Sequence, residues 1–322
     1  MAGLDEPVGE AWMTGSDSRF ADGPFDGKTL GEVWPALPPT WTGTRLSGTG
    51  MFPLLIKFLF AEDKLSVQVH PDDAQAVLLE HDPGARGKTE MWYTVRAREG
   101  AEVLAGFKPV VTRETFKLAL AEGSAEDCLE RVPLREGDAV FIPAGMAHTI
   151  GPGLVLCEIQ QHSDLTYRVY DYNRRDSQGR ARPLHIEKGL AAMHFGPQRG
   201  GKIEPVRVVS GMVSTEYLAG CPYFAAEKLE VSGPAEATVS REHFDVLIFI
   251  GGRGGICFGQ DRAEYGPAQV WLVPAALGAY RLVPKERTTL LRAWVPAGAE
   301  EFSRIMAEAG VGAAERSRLI HP

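Results

Sequence analysis

The sequence lacks any long hydrophobic run. Its 322 residues contain no stretch close to the roughly 18 consecutive apolar residues of a membrane helix. The beginning of the chain, MAGLDEPVGEAWM, is acidic and has no apolar core of signal-peptide length. We therefore expect a protein that has no membrane partner and resides in the cytoplasm.

Cysteine is also scarce. The four cysteines are widely spread, and no two of them form a CxxC pair: Cys128, Cys157, Cys221 and Cys257. A disulfide framework and a thiolate zinc site are both disfavoured by this spacing, whereas reduced thiols in a cytosol fit it.

There is no excess of positive charge. Lys and Arg number 34 against 42 Asp and Glu, so the formal net charge is −8. This balance argues against nucleic acid and against anionic membrane surfaces as partners. A local cluster of cations can still bind a small anion, so the expected partner is a small molecule. The oligomeric state is expected to be a monomer or a homodimer.

Short β-rich runs are abundant. The segments LLIKFLF, MWYTV, DAVFIPA and LVLCEIQ are separated by turns rich in the 36 glycines and 22 prolines. Many short strands between such turns predict a sandwich, a barrel or a jelly roll. Helix is predicted only locally, in AQAVLLEH after a capping Asp72–Asp73, across residues 112–132, and in AEEFSRIMAEAGV near the C-terminus.

A faint internal repeat links the two halves of the chain. Residues 135–149, REGDAVFIPAGMAHT, align with residues 265–280, YGPAQVWLVPAALGAY, when Pro143 is matched to Pro274. In this alignment Ala279 stands where the first copy has His148. The repeat predicts an N-terminal catalytic domain, residues 1–200, with a metal site and a helical insertion. It also predicts a degenerate C-terminal copy without a metal, residues 201–322.

Four polar residues in the first half could form a metal site. Gln68 and His70 in SVQVHPDD lie two apart, so a strand would direct both to the same face. Glu90 in GKTEMWYTV and His148 in FIPAGMAHTI would add a carboxylate and a second imidazole. This set of donors suits zinc or another borderline divalent ion. Taken singly, a histidine on a strand is more often a structural residue than a ligand, and the glutamate and glutamine are more often solvated. The spacing of all four together leaves both interpretations open.

The motifs around these residues resemble those of a known family. PLLIKFLFAEDKLSVQVHPDD, GKTEMWY, FIPAGMAHTI and EIQQHSDLTYRVYDYNR occur in this order and together closely resemble type I mannose-6-phosphate isomerases in their short bacterial form. The resemblance implies a mainly β fold of two cupin-type jelly-roll β-sandwich domains with a few short helices. It implies one Zn²⁺ per chain in the N-terminal domain, with Gln68, His70, Glu90 and His148 as ligands.

The same resemblance implies a reaction and its residues. The expected reaction interconverts mannose 6-phosphate and fructose 6-phosphate, by metal-assisted proton transfer between C1 and C2 through an enediolate. Glu158 and Arg168 lie ten residues apart, as an acid and an arginine do in the family. They are expected in the active cleft together with Lys88, whose pKa a neighbouring zinc ion would lower. Lys57, Lys88 and Arg168 are expected to bind the sugar phosphate; without the resemblance, Lys57 and Arg168 would be interpreted as ordinary surface cations.

Two other functions compete with this interpretation. A non-catalytic cupin could bind a sugar phosphate for regulation, although retention of all four ligands and Arg168 argues against it. A cupin oxygenase using iron would more typically carry two histidines close to a carboxylate. This chain has QxH instead, with Glu90 following only after an intervening segment.

Overall fold

The computed structural model describes residues 8–176, 178–197 and 199–321. Antiparallel strands joined by short connections dominate the chain, and helices are few and short. This architecture confirms the predicted mainly β fold. None of the helices within these described ranges is both long enough and apolar enough to span a bilayer.

The chain divides into two compact units. The first consists of its described residues up to Met13 and of Leu54–Ile203; the second consists of Thr14–Pro53 and the described residues from Glu204 onward. The boundary near residue 203 lies close to the predicted division at residue 200. Residues 14–53 differ from the prediction, which assigned them to the N-terminal domain.

Local packing explains why residues 14–53 join the second unit. The ring of Trp34 packs against Phe244, with centroids 5.2 Å apart, and Phe52 packs at the same distance on Phe244. At Gly43 the two backbones approach so closely that a Cβ atom would lie 2.2 Å from the carbonyl oxygen of Glu242. These contacts involve residues about 200 positions apart, so local sequence patterns could not predict them.

The first unit contains two sheets. One has the strand order β1-β2-β9-β4-β7-β11 and the other β10-β3-β8-β5-β6. The strands are β1 Glu10–Trp12, β2 Leu54–Ala61, β3 Val67–Val69, β4 Glu90–Ala97, β5 Glu102–Phe107, β6 Leu129–Pro133, β7 Ala139–Ile142, β8 His148–Ile150, β9 Leu154–Gln161, β10 Tyr167–Tyr170 and β11 Gly201–Lys202.

The second unit repeats this plan. Its sheets have the orders β12-β13-β14-β21-β16-β19 and β15-β20-β17-β18. The strands are β12 Val206–Ser210, β13 Val213–Gly220, β14 Ala225–Val231, β15 Ala235–Thr238, β16 Asp245–Gly251, β17 Gly254–Phe258, β18 Asp261–Tyr265, β19 Val270–Val273, β20 Ala279–Pro284 and β21 Thr288–Trp294.

The helices are short and lie between strands or at the chain end. They are α1 Leu30–Val33, α2 Pro39–Thr42, α3 Asp73–Glu80, α4 Arg113–Glu122, α5 Ile186–Ala192, α6 Ala299–Glu308 and α7 Ala313–Arg318. The predicted cap of α3 is present, because the side chain of Asp72 accepts a hydrogen bond from the backbone of Gln75. The helix predicted across residues 112–132 ends at Glu122, because Leu129–Pro133 pairs with β5 instead.

The internal repeat is visible in the strands, but its predicted alignment is wrong by one residue. Ala279 is exposed and Tyr280 is buried, so the interior position belongs to Tyr280. Ile150 and Leu282 each pair with a core residue of the corresponding strands β5 and β17. His148 and Tyr280 precede them by two residues. Tyr280 therefore replaces His148, because the connection after Pro274 is one residue longer.

Candidate metal centre and active site

A close approach of two backbones brings the GKTE segment against the end of β3. At Gly87 a Cβ atom would lie 2.6 Å from the carbonyl carbon of Asp72, so only glycine fits without a shift. The next residue, Lys88, donates its backbone N–H to the carbonyl of Pro71 at 3.0 Å. Lys88 and Glu90 are thereby held beside His70, which the sequence places at the end of the same β3 segment.

His70, Glu90 and His148 form a buried group whose ligand atoms all lie within 4.8 Å of one another. Oε1 of Glu90 is 3.6 Å from Nε2 of His70 and 3.5 Å from Nε2 of His148. This oxygen is buried and makes no hydrogen bond to any of the described residues. A buried carboxylate oxygen without a partner is costly unless another group satisfies it.

The two histidines are fixed in the form that metals bind. Nδ1 of His70 is 2.9 Å from the carbonyl oxygen of Leu165, and Nδ1 of His148 is 2.9 Å from that of Met146. Each Nδ1–H donates to its carbonyl, so each Nε2 presents a lone pair to Glu90. Burial lowers the pKa of His148 to about 3, and burial together with Lys88 lowers the pKa of His70. Both rings are therefore neutral at physiological pH.

Gln68 completes the predicted set. It lies directly opposite His148 on the neighbouring strand, and its Nε2 is 3.2 Å from Nε2 of His148. Rotation of the amide by 180° about its last bond would place the oxygen where the nitrogen lies. The structure thus brings Gln68, His70, Glu90 and His148 together.

Lys88 and Glu158 extend this cluster. The ammonium of Lys88 lies 2.5 Å from Oε2 of Glu90, 3.2 Å from Nε2 of His70 and 3.6 Å from Oε1 of Glu158. Burial opposes the charge of Lys88, but Glu158 and Glu90 outweigh it and raise its pKa. Burial raises the pKa of Glu158, whose Oε2 accepts a hydrogen bond from Trp92 at 2.9 Å.

Lys57 lies next to this cluster but forms ion pairs with residues outside it. It lies directly opposite Glu158 on the adjacent strand. Its buried ammonium is 3.0 Å from Asp164 and 3.7 Å from Glu10, and it lies 4.1 Å from the ring centroid of Trp12. Lys57 is therefore a buried, neutralised cation and not the surface lysine that the pattern alone would indicate.

Arg168 lies opposite Gln68 on strand β10. Its Nε donates to the hydroxyl of Ser66 at 3.1 Å, and its Nη1 donates to the carbonyl of Pro183 at 3.4 Å. Both acceptors are neutral, and within the described ranges the guanidinium forms no ion pair. Arg168 is therefore a cation whose charge is available to an anion.

Sequence reasoning missed Gln160. It lies directly opposite Glu90 across β9 and β4, so both side chains face the same interior. Its amide nitrogen donates to the carbonyls of Gln161 and Ser163, while its buried Oε1 has no hydrogen-bond partner among the described residues. The available signal was its position two residues after Glu158 on a strand.

A cavity of about 620 Å³ in the first unit is lined by none of these residues. Four of its charged residues form ion pairs with one another, Lys64 with Glu126 at 3.1 Å and Arg131 with Glu102.

Comparison with known proteins identifies the family of this chain. Residues 2–110 match the family model "Phosphomannose isomerase type I, catalytic domain". Mannose-6-phosphate isomerase of Streptococcus mutans is 35% identical over 280 residues, covering 86% of this chain and 85% of that protein. The chain belongs to the type I mannose-6-phosphate isomerase family. A mannose-6-phosphate isomerase of Bacillus subtilis is 33% identical over 281 residues, and the match covers 85% of this chain and 86% of that protein.

Solved structures of the isomerase family share the fold. The crystal structure of the Bacillus subtilis mannose 6-phosphate isomerase superposes with a TM-score of 0.80 at 30% identity, covering 88% of this chain and 89% of that one. A mannose 6-phosphate isomerase crystallised with zinc and yttrium superposes with a TM-score of 0.68, covering 90% and 91% of the two chains. At 16% identity, that second likeness concerns the fold alone.

The buried group fits a divalent metal. Two neutral imidazoles with Nε2 lone pairs, one carboxylate oxygen without a hydrogen-bond partner and one amide converge on the same place. These are the nitrogen and oxygen donors that borderline divalent ions prefer in sites that keep an open position. The cluster in this chain can therefore hold a metal.

Proposed function

We propose that this protein interconverts mannose 6-phosphate and fructose 6-phosphate in the first unit, with Zn²⁺ held by Gln68, His70, Glu90 and His148. The observation that carries the proposal is that these four residues share one buried cluster with Lys88 and Glu158. The family relatives named above carry the same activity in their names.

The reaction requires two proton movements. The proton on C2 of the aldose must be removed and returned to C1, and the hydroxyl proton on O2 must be moved to O1. A bound Zn²⁺ ion would supply positive charge that stabilises the oxygens as negative charge develops on them. The protein must supply the groups that hold the protons.

Lys88 and Glu158 are the groups best placed to hold these protons. Their polar atoms are 3.6 Å apart, and both side chains are buried. Because burial raises the pKa of Glu158, its carboxyl group can exist in either protonation state near neutral pH. Trp92 fixes Oε2 of Glu158 and leaves Oε1 directed at Lys88.

Arg168 is a better candidate than Lys57 for binding the substrate phosphate. Its guanidinium donates hydrogen bonds to neutral oxygens, those of Ser66 and Pro183, so binding a phosphate would break no ion pair with any of the described residues. Lys57 contributes to the same binding region in our proposal, but its ammonium is already paired with Asp164 at 3.0 Å. A phosphate would therefore have to compete with that carboxylate for Lys57.

The test is turnover by purified protein. Zinc-loaded protein should convert mannose 6-phosphate into fructose 6-phosphate, chelation should abolish the conversion, and added zinc should restore it. Lys88→Met should remove most of the turnover, whereas Lys117→Met, on the exposed face of α4, should leave it unchanged. Binding of the sugar phosphate without conversion would favour the non-catalytic cupin instead, and oxygen consumption with bound iron would favour the oxygenase.

We further propose that the protein works in the cytoplasm as a monomer or a homodimer, and that the second unit holds no metal. In support, the four cysteines are unpaired and three of them are buried, as expected of thiols in a reducing compartment. Light scattering on the purified protein would give the oligomeric state. A metal-anomalous map with a peak in the second unit would contradict the proposed division of roles.

A further inference from the structure

The second unit reproduces the strand arrangement around the proposed active site. Strands β2-β9-β4-β7 are neighbours in the first unit, and β14-β21-β16-β19 are neighbours in the same order in the second. Glu90 pairs with Ile142 directly before a proline, and Asp245 pairs with Val273 directly before a proline. Asp245 therefore occupies the position that Glu90 has in the first unit.

The second unit also has a charged pair beside this position, but its acidic and basic residues have exchanged strands. Lys57 lies opposite Glu158 in the first unit, and Glu227 lies opposite Arg292 in the second. Nε of Arg292 donates to Asp245 at 2.7 Å, and Nη1 donates to Glu227 at 3.0 Å. The second unit thus has a fixed guanidinium among its buried carboxylates.

A cavity of about 430 Å³ opens above this ion pair. Glu227, Arg292 and Tyr280 form its polar floor. Glu227 and Tyr280 are almost fully buried. Within the described part of the chain, neither Nη2 of Arg292 nor the hydroxyl of Tyr280 has a hydrogen-bond partner. The walls combine aliphatic side chains with hydroxyl groups, namely Val213, Leu229, Leu282, Ser210, Thr215 and Thr238.

We propose that this cavity is a second small-molecule site, which binds an uncharged polyhydroxylated compound of monosaccharide size. Adjacent hydroxyls of such a compound would donate to Glu227 and accept from Nη2 of Arg292, and Tyr280 would bind a third. The aliphatic walls would pack against its C–H groups. The site is separate from the proposed isomerase centre and requires no metal.

The charges at the floor select against ionic ligands. The guanidinium of Arg292 is already shared between Asp245 and Glu227. The cavity is lined by two carboxylates, those of Glu227 and Glu236, and by the cation of Arg292, so a phosphate would meet more negative than positive charge. A cation would have to compete with Arg292 for the same carboxylates. A neutral hydroxylated ligand can use the remaining donors and acceptors without breaking either ion pair.

The test measures binding of methyl α-D-mannopyranoside to the zinc-loaded, full-length protein by ligand-observed NMR. This glycoside is blocked at C1, so the isomerase centre cannot convert it. We expect saturable binding that persists when mannose 6-phosphate saturates the first unit. Inorganic phosphate and tetramethylammonium, the anionic and cationic probes, should not compete.

Two variants locate the binding. Ala237→Phe places a ring into the cavity and should abolish binding of the glycoside, while Ala314→Phe on the exposed face of α7 should not change it. Tyr280→Phe removes only the hydroxyl and should weaken binding about tenfold, the value of one hydrogen bond. Both cavity variants should retain the isomerase turnover of the parent protein.

Three outcomes would overturn the proposal. They are the absence of saturable binding up to the solubility limit of the glycoside, displacement of the glycoside by mannose 6-phosphate, and unchanged binding in folded Ala237→Phe or Tyr280→Phe. Because isomerase turnover is measured separately on the parent protein, failure of this site and failure of the proposed isomerase activity give different results.

Discussion

Removal of the His243 imidazole should change how the stability of the second unit depends on pH. Nε2 of His243 is 3.0 Å from Oε1 of Glu301 on α6, and Nδ1 is 3.4 Å from Oδ1 of Asp245. The ring is buried and stacks on Trp294 with centroids 5.8 Å apart. The protonated ring therefore links α6 to β16 through two carboxylates.

The expected magnitude follows from the pKa of this ring. Burial alone would lower the pKa of His243, but the carboxylates of Asp245 and Glu301 outweigh burial and raise it to about 9 from the ordinary 6.5. A group with a raised pKa stabilises the folded state fully below its unfolded pKa and loses that contribution as the pH rises through the folded value. The difference corresponds to about 3 kcal/mol, lost between about pH 6.5 and pH 9.

The assay is urea denaturation of the parent protein and of His243→Gln across this range, with the difference in unfolding free energy as the result. The parent should be more stable than the variant at pH 6, and this advantage should shrink by about 3 kcal/mol by pH 9. His81→Gln, at an exposed ring, serves as the control. A stability difference that stays constant from pH 6 to pH 9 would refute the reasoning, as would an imidazole NMR titration midpoint of His243 near 6.5.

Three further predictions concern the first unit. His148→Ala should lose most of the bound metal by elemental analysis, and one metal per chain in the variant would refute the ligand assignment. Arg168→Ala should keep its metal but lower kcat/KM about ten- to a hundred-fold, the value of a charge-assisted hydrogen bond; Arg135→Ala, an exposed arginine, should match the parent. Gln160→Met should lower kcat/KM about tenfold at unchanged metal content, because its buried Oε1 would accept a hydrogen bond from substrate or water; kinetics equal to the parent would exclude it from the site.

The features that the sequence predicted correctly depend on neighbours along the chain. The cap at Asp72 needs only the backbone three residues ahead. The shared face of Gln68 and His70 needs only the two-residue period of a strand. The short apolar runs between glycines and prolines predicted the mainly β fold for the same reason, since each strand is indicated by its own residues and by the turns that flank it.

The family resemblance also predicted contacts between segments that are far apart in the sequence. Spacing alone left the metal site open, because no local pattern shows that Glu90 on β4 and His148 on β8, which belong to different sheets, come together. The collinear motifs predicted which residues come together, and the structure places Glu90 within 3.6 Å of both imidazoles.

Only the tertiary structure decided the remaining features. Residues 14–53 join the second unit because Trp34 packs on Phe244, and Tyr280 takes the interior position because one connection is a residue longer. Lys57 is neutralised by Asp164, which is 107 positions away. In each case the deciding energy comes from packing or charge pairing between residues far apart in the chain, which local periodicity and composition cannot encode.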